Sequence, residues 1–134
     1  MKPESYRETT RAITVTVRPS FLDDQSRPED NYFVWAYEVT ILNEGPETVT
    51  LKTRYWKIMN AQGEVQEVRG AGVVGEQPTL TPGQRFEYTS GCPLSTASGF
   101  MSGSYQLETA QGEAFNVVIP AFSLDSPHAP ARVH

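Results

Sequence analysis

The chain has 134 residues, a formal net charge of -5 from 11 Lys and Arg against 16 Asp and Glu, and 38% hydrophobic residues. That length fits one domain with its own core, and the interspersed acids and bases exclude the basic footprint of a duplex nucleic-acid binder or of a protein drawn to an anionic membrane. Met1-Lys2-Pro3-Glu4 opens no apolar leader, no run approaches the roughly 20 apolar residues that span a bilayer, and Cys92 is the single cysteine, so the expectation is a soluble cytoplasmic protein with no membrane insertion and no internal disulfide.

Ile13, Val15 and Val17 alternate with Thr14, Thr16 and Arg18, the period of two of a strand with one buried face. From Pro19 to Asn31 the residues Asp23-Asp24, Arg27-Pro28 and Glu29-Asp30 predict a mobile polar loop. Phe33, Trp35, Tyr37, Val39 and Ile41 then share one face, with Glu38 and Thr40 on the other, which predicts a long central strand. Asn43-Glu44-Gly45-Pro46 has turn chemistry and predicts a hairpin into the next strand. In that strand Val49 and Leu51 keep one parity and Trp56 and Ile58 the other, so a bulge or twist is expected near Arg54-Tyr55.

Asn60-Ala61-Gln62-Gly63 turns the chain into Val65 and Val68, and Pro82-Gly83 marks the turn before Phe86 and Tyr88. Phe100, Met101, Tyr105 and Leu107 form another strand, in which Gly103 signals a bulge or the close approach of another backbone. Gln111-Gly112 turns into Phe115, Val117 and Ile119, followed by Pro120. About seven strands without an amphipathic helix predict an all-β antiparallel β-sandwich, immunoglobulin-like or fibronectin type III-like, with a small barrel as the alternative. Trp35 and Trp56 are candidates for the core aromatic. The domain spans residues 1–124, and 125–134, with Ser126-Pro127-His128-Ala129-Pro130, reads as a flexible tail.

The sequence is poor in catalytic side chains. Histidine occurs only at His128 and His134, both in the expected tail, so the core lacks the usual general base near neutral pH. Cys92, in Ser90-Gly91-Cys92-Pro93-Leu94, reads as a small buried hydrophobe. One cysteine and two tail histidines cannot close a zinc site. The carboxylates Asp23, Asp24, Glu29 and Asp30 lack the spacing and central glycine of a calcium loop. Glu38 and Glu87 could face each other as an acid pair, although exposed strand faces carry glutamates for solubility alone. No catalytic residue, metal or cofactor is expected.

Gly70-Ala71-Gly72-Val73-Val74-Gly75 has the G-x-G-x-x-G spacing of dinucleotide-binding loops. In those loops a helix follows, and its N-terminal N–H groups face the pyrophosphate. Here Glu76-Gln77-Pro78 follows, and Pro78 pushes Gln77 out of the α region, so the spacing lacks its structural context. Three readings follow: a strand-edge turn, an anion-binding nest charged by Arg69 or the nearby Arg54, or an apolar loop that presents Val73 and Val74 to a protein. The candidate ligand or partner loop is therefore Arg69, Gly70, Gly72, Val73, Val74, Gly75 and Gln77.

Arg54-Tyr55-Trp56, the run Val68 to Pro78, Leu80-Thr81-Pro82-Gly83, Phe86 to Leu94, Gly99 to Tyr105 and Phe115 to Phe122 together resemble the bacterial ApaG family over nearly the whole chain. The resemblance implies a fibronectin type III-like sandwich. It implies protein interaction as well, because related domains occur in eukaryotic F-box and DNA-polymerase-interacting proteins. Members often carry a cobalt and magnesium efflux label, and the family name reflects genetic neighbourhood with a diadenosine tetraphosphate hydrolase. The expectation is a non-catalytic module that binds a protein partner and is linked to cobalt and magnesium homeostasis, with nucleotide polyphosphate or pyrophosphate binding or hydrolysis through the glycine loop as the alternative. Sheet edges could also pair two copies into a homodimer.

Overall fold

The computed structural model describes residues 5–129. Its strands are β1 (Tyr6–Thr10), β2 (Ile13–Phe21), β3 (Phe33–Asn43), β4 (Val49–Asn60), β5 (Val65–Ala71), β6 (Thr79–Leu80), β7 (Arg85–Leu94), β8 (Gly99–Thr109) and β9 (Ala114–Leu124). One sheet has the order β1-β2-β3-β7 and the other β5-β4-β8-β9, with β6 pairing the start of β4. Every pairing is antiparallel, which gives the all-β sandwich that the strand patterns predict.

The period of two decides which side chains meet between the sheets. β3 is central, flanked by β2 and β7, and buries Phe33, Trp35, Tyr37, Val39 and Ile41. The facing sheet answers with Leu51, Trp56, Met101, Tyr105, Ile119 and Phe122. Both tryptophans are core residues. Tyr37 and Phe122 meet Trp56 in T-shaped arrangements with ring centroids 5.3 and 6.0 Å away, which suits aromatic quadrupoles.

The two strands beyond the expected seven are β1 and β6. β1, Tyr6-Arg7-Glu8-Thr9-Thr10, has no apolar alternation, and the turn that follows it places Arg11 (φ 47°) and Ala12 (φ 63°) in the left-handed region without the usual Asn or Gly. β6 has only two residues. The polar stretch after Pro19 also differs from a plain loop: β2 continues to Phe21, and 3-10 turns follow at Asp23–Gln25 and Pro28–Asp30.

Two expectations along β3 and β4 are corrected. Asn43 to Pro46 does not close a hairpin, because β2 and β7 already occupy both edges of β3; the segment instead crosses from one sheet to the other. Asn43 holds that crossing, its buried Nδ2 donating to Glu47 O at 2.7 Å and Leu80 O at 3.0 Å while its Oδ1 accepts from the Gly45 N–H at 3.0 Å. The bulge in β4 lies at Lys52, between the Leu51–Leu107 and Thr53–Gln106 pairs, rather than at Arg54-Tyr55. Gly103 fulfils its signal. The β8–β9 register shifts beside it, and a Cβ at Gly103 would lie 2.0 Å from Tyr55 O.

Along one side the outer strands β1 and β9 tie the sheets together. There Tyr6 Oη and Ser123 Oγ hydrogen bond at 3.0 Å, and the Val118 N–H donates to Thr10 Oγ1 at 3.2 Å. After β9, Trp35 Nε1 donates to Asp125 O at 2.8 Å, Ser126 Oγ donates to Ala97 O at 2.6 Å, and His128 packs 5.7 Å from Phe21. His134 and the rest of the expected tail lie outside the described residues. On the opposite side β5 and β7 each pair with one strand among the described residues, and the sandwich opens into a cleft.

Candidate functional site

The glycine run leaves β5 as a tight turn. The Val73 N–H donates to Glu76 O and the Glu76 N–H to Val73 O, both at 2.8 Å, across Val74 (φ 42°) and Gly75 (φ 82°). Positive φ at both central positions matches the twist of the flanking chain. Gly72 has a different requirement: besides φ 64°, a Cβ there would lie 2.2 Å from Glu76 O. Val73, which the third reading of the loop would present to a protein, is fully buried in the core, whereas Val74 is 55% exposed at the tip.

The polarity of the loop is opposite to that of a phosphate nest. A nest turns its N–H groups toward an anion. Here the amides of Gly72, Val73 and Glu76 are engaged by backbone carbonyls, and the carbonyls of Ala71 and Gly72 face a cation, accepting from Arg54 Nη1 at 3.1 and 2.9 Å. The bulged Lys52 carbonyl accepts both the Gly72 N–H and Gln77 Nε2 at 2.9 Å. Gln77 thus ties the loop to β4.

The structure therefore divides the candidate residues. Gly70, Gly72 and Gln77 gather around Lys52 and Arg54, Val73 enters the core, and Val74 and Gly75 form the turn tip. Arg69 points to the outer face of its sheet, stacks 4.6 Å over the Tyr55 ring and pairs with Glu67 at 3.5 Å. It borders a shallow hollow of about 410 Å³ that includes Thr53, Tyr55, Ser104, Gln106 and Asn116.

Arg54 belongs to the inner face. It is cross-strand neighbour to Gly70 on β5 and Tyr105 on β8; the next row holds Val68, Trp56 and Gly103, and the one after it Gln66, Ile58 and Met101. These rows and the β7 residues Ser90 to Pro93 enclose a cleft of about 290 Å³. Trp56, Ile58, Val68 and Met101 supply its apolar lining, Tyr37, Gln66 and Ser90 its polar lining, and Arg54 a cation. No Asp or Glu of the described residues pairs with Arg54 within salt-bridge distance.

Tyr37 lines the cleft with Arg54, and Tyr105, the cross-strand neighbour of Arg54, is buried. The buried hydroxyls of Tyr88 and Tyr105 hydrogen bond to each other. Burial pushes the pKa of Tyr105 well above its ordinary value and raises those of Tyr88 and Tyr37; Arg54 pulls all three in the opposite direction, and for Tyr37 the neighbouring Ser90 hydroxyl does so too. Burial also pushes the Cys92 thiol up to about 11. Cys92 therefore stays protonated at neutral pH and is a poor nucleophile.

Other carboxylate groupings are separate. Glu38 stands opposite Thr89 and lies 3.5 Å from Arg18, while Glu87 stands opposite Thr40, so the two glutamates are not a facing pair. Asp23, Asp24, Glu29 and Asp30 occupy the exposed 3-10 turns, with Asp23 Oδ1 3.6 Å from His128 Nε2. Among the described residues no group of three His, Cys, Asp or Glu side chains is placed to hold a metal.

Sequence reasoning singled out Arg54 only as a charge near the glycines and did not gather Tyr37, Tyr88, Tyr105 and Ser90 into a site. The usable signal was parity: Tyr37 alternates with Val39, and Tyr105 with Leu107, so their hydroxyls had to find partners inside the sandwich.

The ApaG domain is matched over residues 23–109. The chain is 62% identical to Protein ApaG of Parvibaculum lavamentivorans, over 96% of this chain and 99% of that protein, and 67% identical to Protein ApaG of Rhodospirillum centenum, over 95% and 98%. A crystal structure of the ApaA protein from Bordetella pertussis superposes with a TM-score of 0.84 at 42% identity, covering 95% of this chain and all of that one. Matches of this extent reach both sheets, the glycine turn and the strand edges, and the chain belongs to the ApaG family.

Proposed function

We propose that the chain is a non-catalytic binding module that engages a protein partner along β7, beside the open cleft. The observation that carries this reading is the free edge of β7, ten residues long and paired only with β3 among the described residues. An unpaired edge of that length offers a row of backbone donors and acceptors to an incoming extended segment. β5 is shorter and its side chains are largely exposed and polar, so it is the weaker template.

The surroundings support binding over chemistry. The thiol beside the edge is buried and protonated, and the glycine turn directs its carbonyls to Arg54 rather than its amides to an anion. The latter counts against nucleotide polyphosphate as ligand. No described helix is long and apolar enough to cross a membrane. The link to cobalt and magnesium would then act through the partner.

The test is a photo-crosslinking amino acid placed at Glu87, near the β7 edge, and separately at Lys57, on the outer face of the other sheet, in living cells. The reading expects adducts at Glu87 and none at Lys57. An adduct at twice the chain mass would identify a second copy as the partner, and equal labelling at both positions, or none at either, would overturn the reading.

A further inference from the structure

We infer that the cleft between β5 and β7 reads the partner's sequence, accepting an extended segment whose inward-facing side chains include an acidic residue two positions from an apolar one. This rests on the proposed engagement of β7 and adds the chemistry of the segment. A strand added to β7 continues that sheet toward β5, so every second side chain turns into the cleft. Successive inward side chains lie about 6.6 Å apart, the same repeat that separates the Arg54–Gly70 row from the Trp56–Val68 row on the facing sheet.

Charge complementarity sets the acidic position. Arg54 is half-buried, uses Nη1 on the Ala71 and Gly72 carbonyls, and has no carboxylate partner among the described residues. Nη2 and Nε remain as donors, and a guanidinium matches a carboxylate in a bidentate fork. Tyr37 and Ser90 line the cleft with Arg54 and add hydroxyl donors to it. Beyond Arg54 the next row presents Trp56 and Val68, which sets the apolar position; Ile58, Met101 and Gln66 form the row after it. A volume of about 290 Å³ holds side chains of a bound strand rather than a folded element. Polyphosphate fits poorly, because it would lay further charges against the apolar rows.

The experiment selects random dodecapeptides displayed on phage against the full chain, then compares one selected peptide with its counterpart carrying glutamine for the acidic residue. The expected result is enrichment of Asp or Glu two positions from Val, Ile, Leu or Phe, and about a tenfold loss of affinity on the glutamine replacement. That comparison uses the unmodified protein, so it stands even if Arg54→Met fails to fold. If Arg54→Met folds, shown by an unchanged thermal transition, it should bind the acidic and glutamine peptides equally.

Selected peptides without the acidic position, or equal affinity for the two peptides, would overturn the inference; if Glu87 adducts persist in cells, the β7 reading survives that failure. Absence of both peptides and adducts would remove the two together. Hexanoate that binds saturably at Arg54 when no peptide is enriched would assign the cleft to a small free acid and also overturn the inference.

Discussion

The guanidinium of Arg54 rests on Gly70. A Cβ at Gly70 would lie 2.8 Å from Nη1 and 2.9 Å from both Cζ and Nη2 of Arg54, so the missing side chain on β5 is the space in which the cation lies. From that seat Arg54 reaches the Ala71 and Gly72 carbonyls and remains beside the cleft.

Each glycine of the run therefore has its own reason, and substitution should rank them. Gly72→Ala combines positive φ with a contact at 2.2 Å to a backbone oxygen, so it should cost about 3 kcal/mol or more. Gly75→Ala meets open space and pays only for its φ, about 1 kcal/mol. Gly70→Ala should cost about 1 kcal/mol by displacing a flexible side chain and its hydrogen bonds. Urea midpoints should give Gly72→Ala far below the other two; equal losses would contradict these roles.

Asn43→Ala should destabilise the fold by about 2–3 kcal/mol, because it strips partners from the Glu47 and Leu80 carbonyls and the Gly45 amide at the crossing between sheets. Chemical denaturation measures it. A loss under about 0.5 kcal/mol would show that the crossing is held by other contacts.

The buried phenols should behave as a coupled pair. Tyr88→Phe or Tyr105→Phe alone leaves one buried hydroxyl without its partner and should cost about 1–2 kcal/mol, while the double variant should cost less than the sum of the two. Full additivity in a double-mutant cycle would rule out the coupling.

Stability should fall on the alkaline side. The Cys92 thiol ionises at 9.0 when unperturbed and at about 11 in the fold, so the unfolded chain releases its proton first. The contribution is fully present below pH 9 and is lost between pH 9 and 11, amounting to about 3 kcal/mol. Tyr37, Tyr88 and Tyr105 are also raised, and they add to the loss above pH 10. Urea unfolding across this range should show the decline, and Cys92→Ala should flatten its part between pH 9 and 11.

The architecture was legible where burial and strand period coincide. Phe33 to Ile41 announces a central strand, and Trp56 with Ile58 announces a parity change in β4. The position of the bulge was not legible, because the carbonyl freed at Lys52 is satisfied by Gly72 and Gln77, residues distant in sequence. Asn43 to Pro46 looked like a hairpin because the same turn chemistry serves a crossing between sheets, and only the pairing partners of β3 distinguish the two. Val73 reads as an apolar loop residue until the turn at Val74-Gly75 directs it inward. The cleft itself depends on which strands become edges, a matter of long-range pairing that local sequence does not carry.

The most direct measurement is an NMR titration of the backbone amides and the Arg54 Nε–Hε group, first with ATP and then with a peptide selected on the full chain. Engagement of β7 should give saturable shifts along β7 and at Arg54 with the peptide, and none at Gly70, Gly72 or Gly75 with ATP. Saturable ATP shifts at those glycines, with β7 silent to the peptide, would contradict it and return the glycine turn to the role of an anion site.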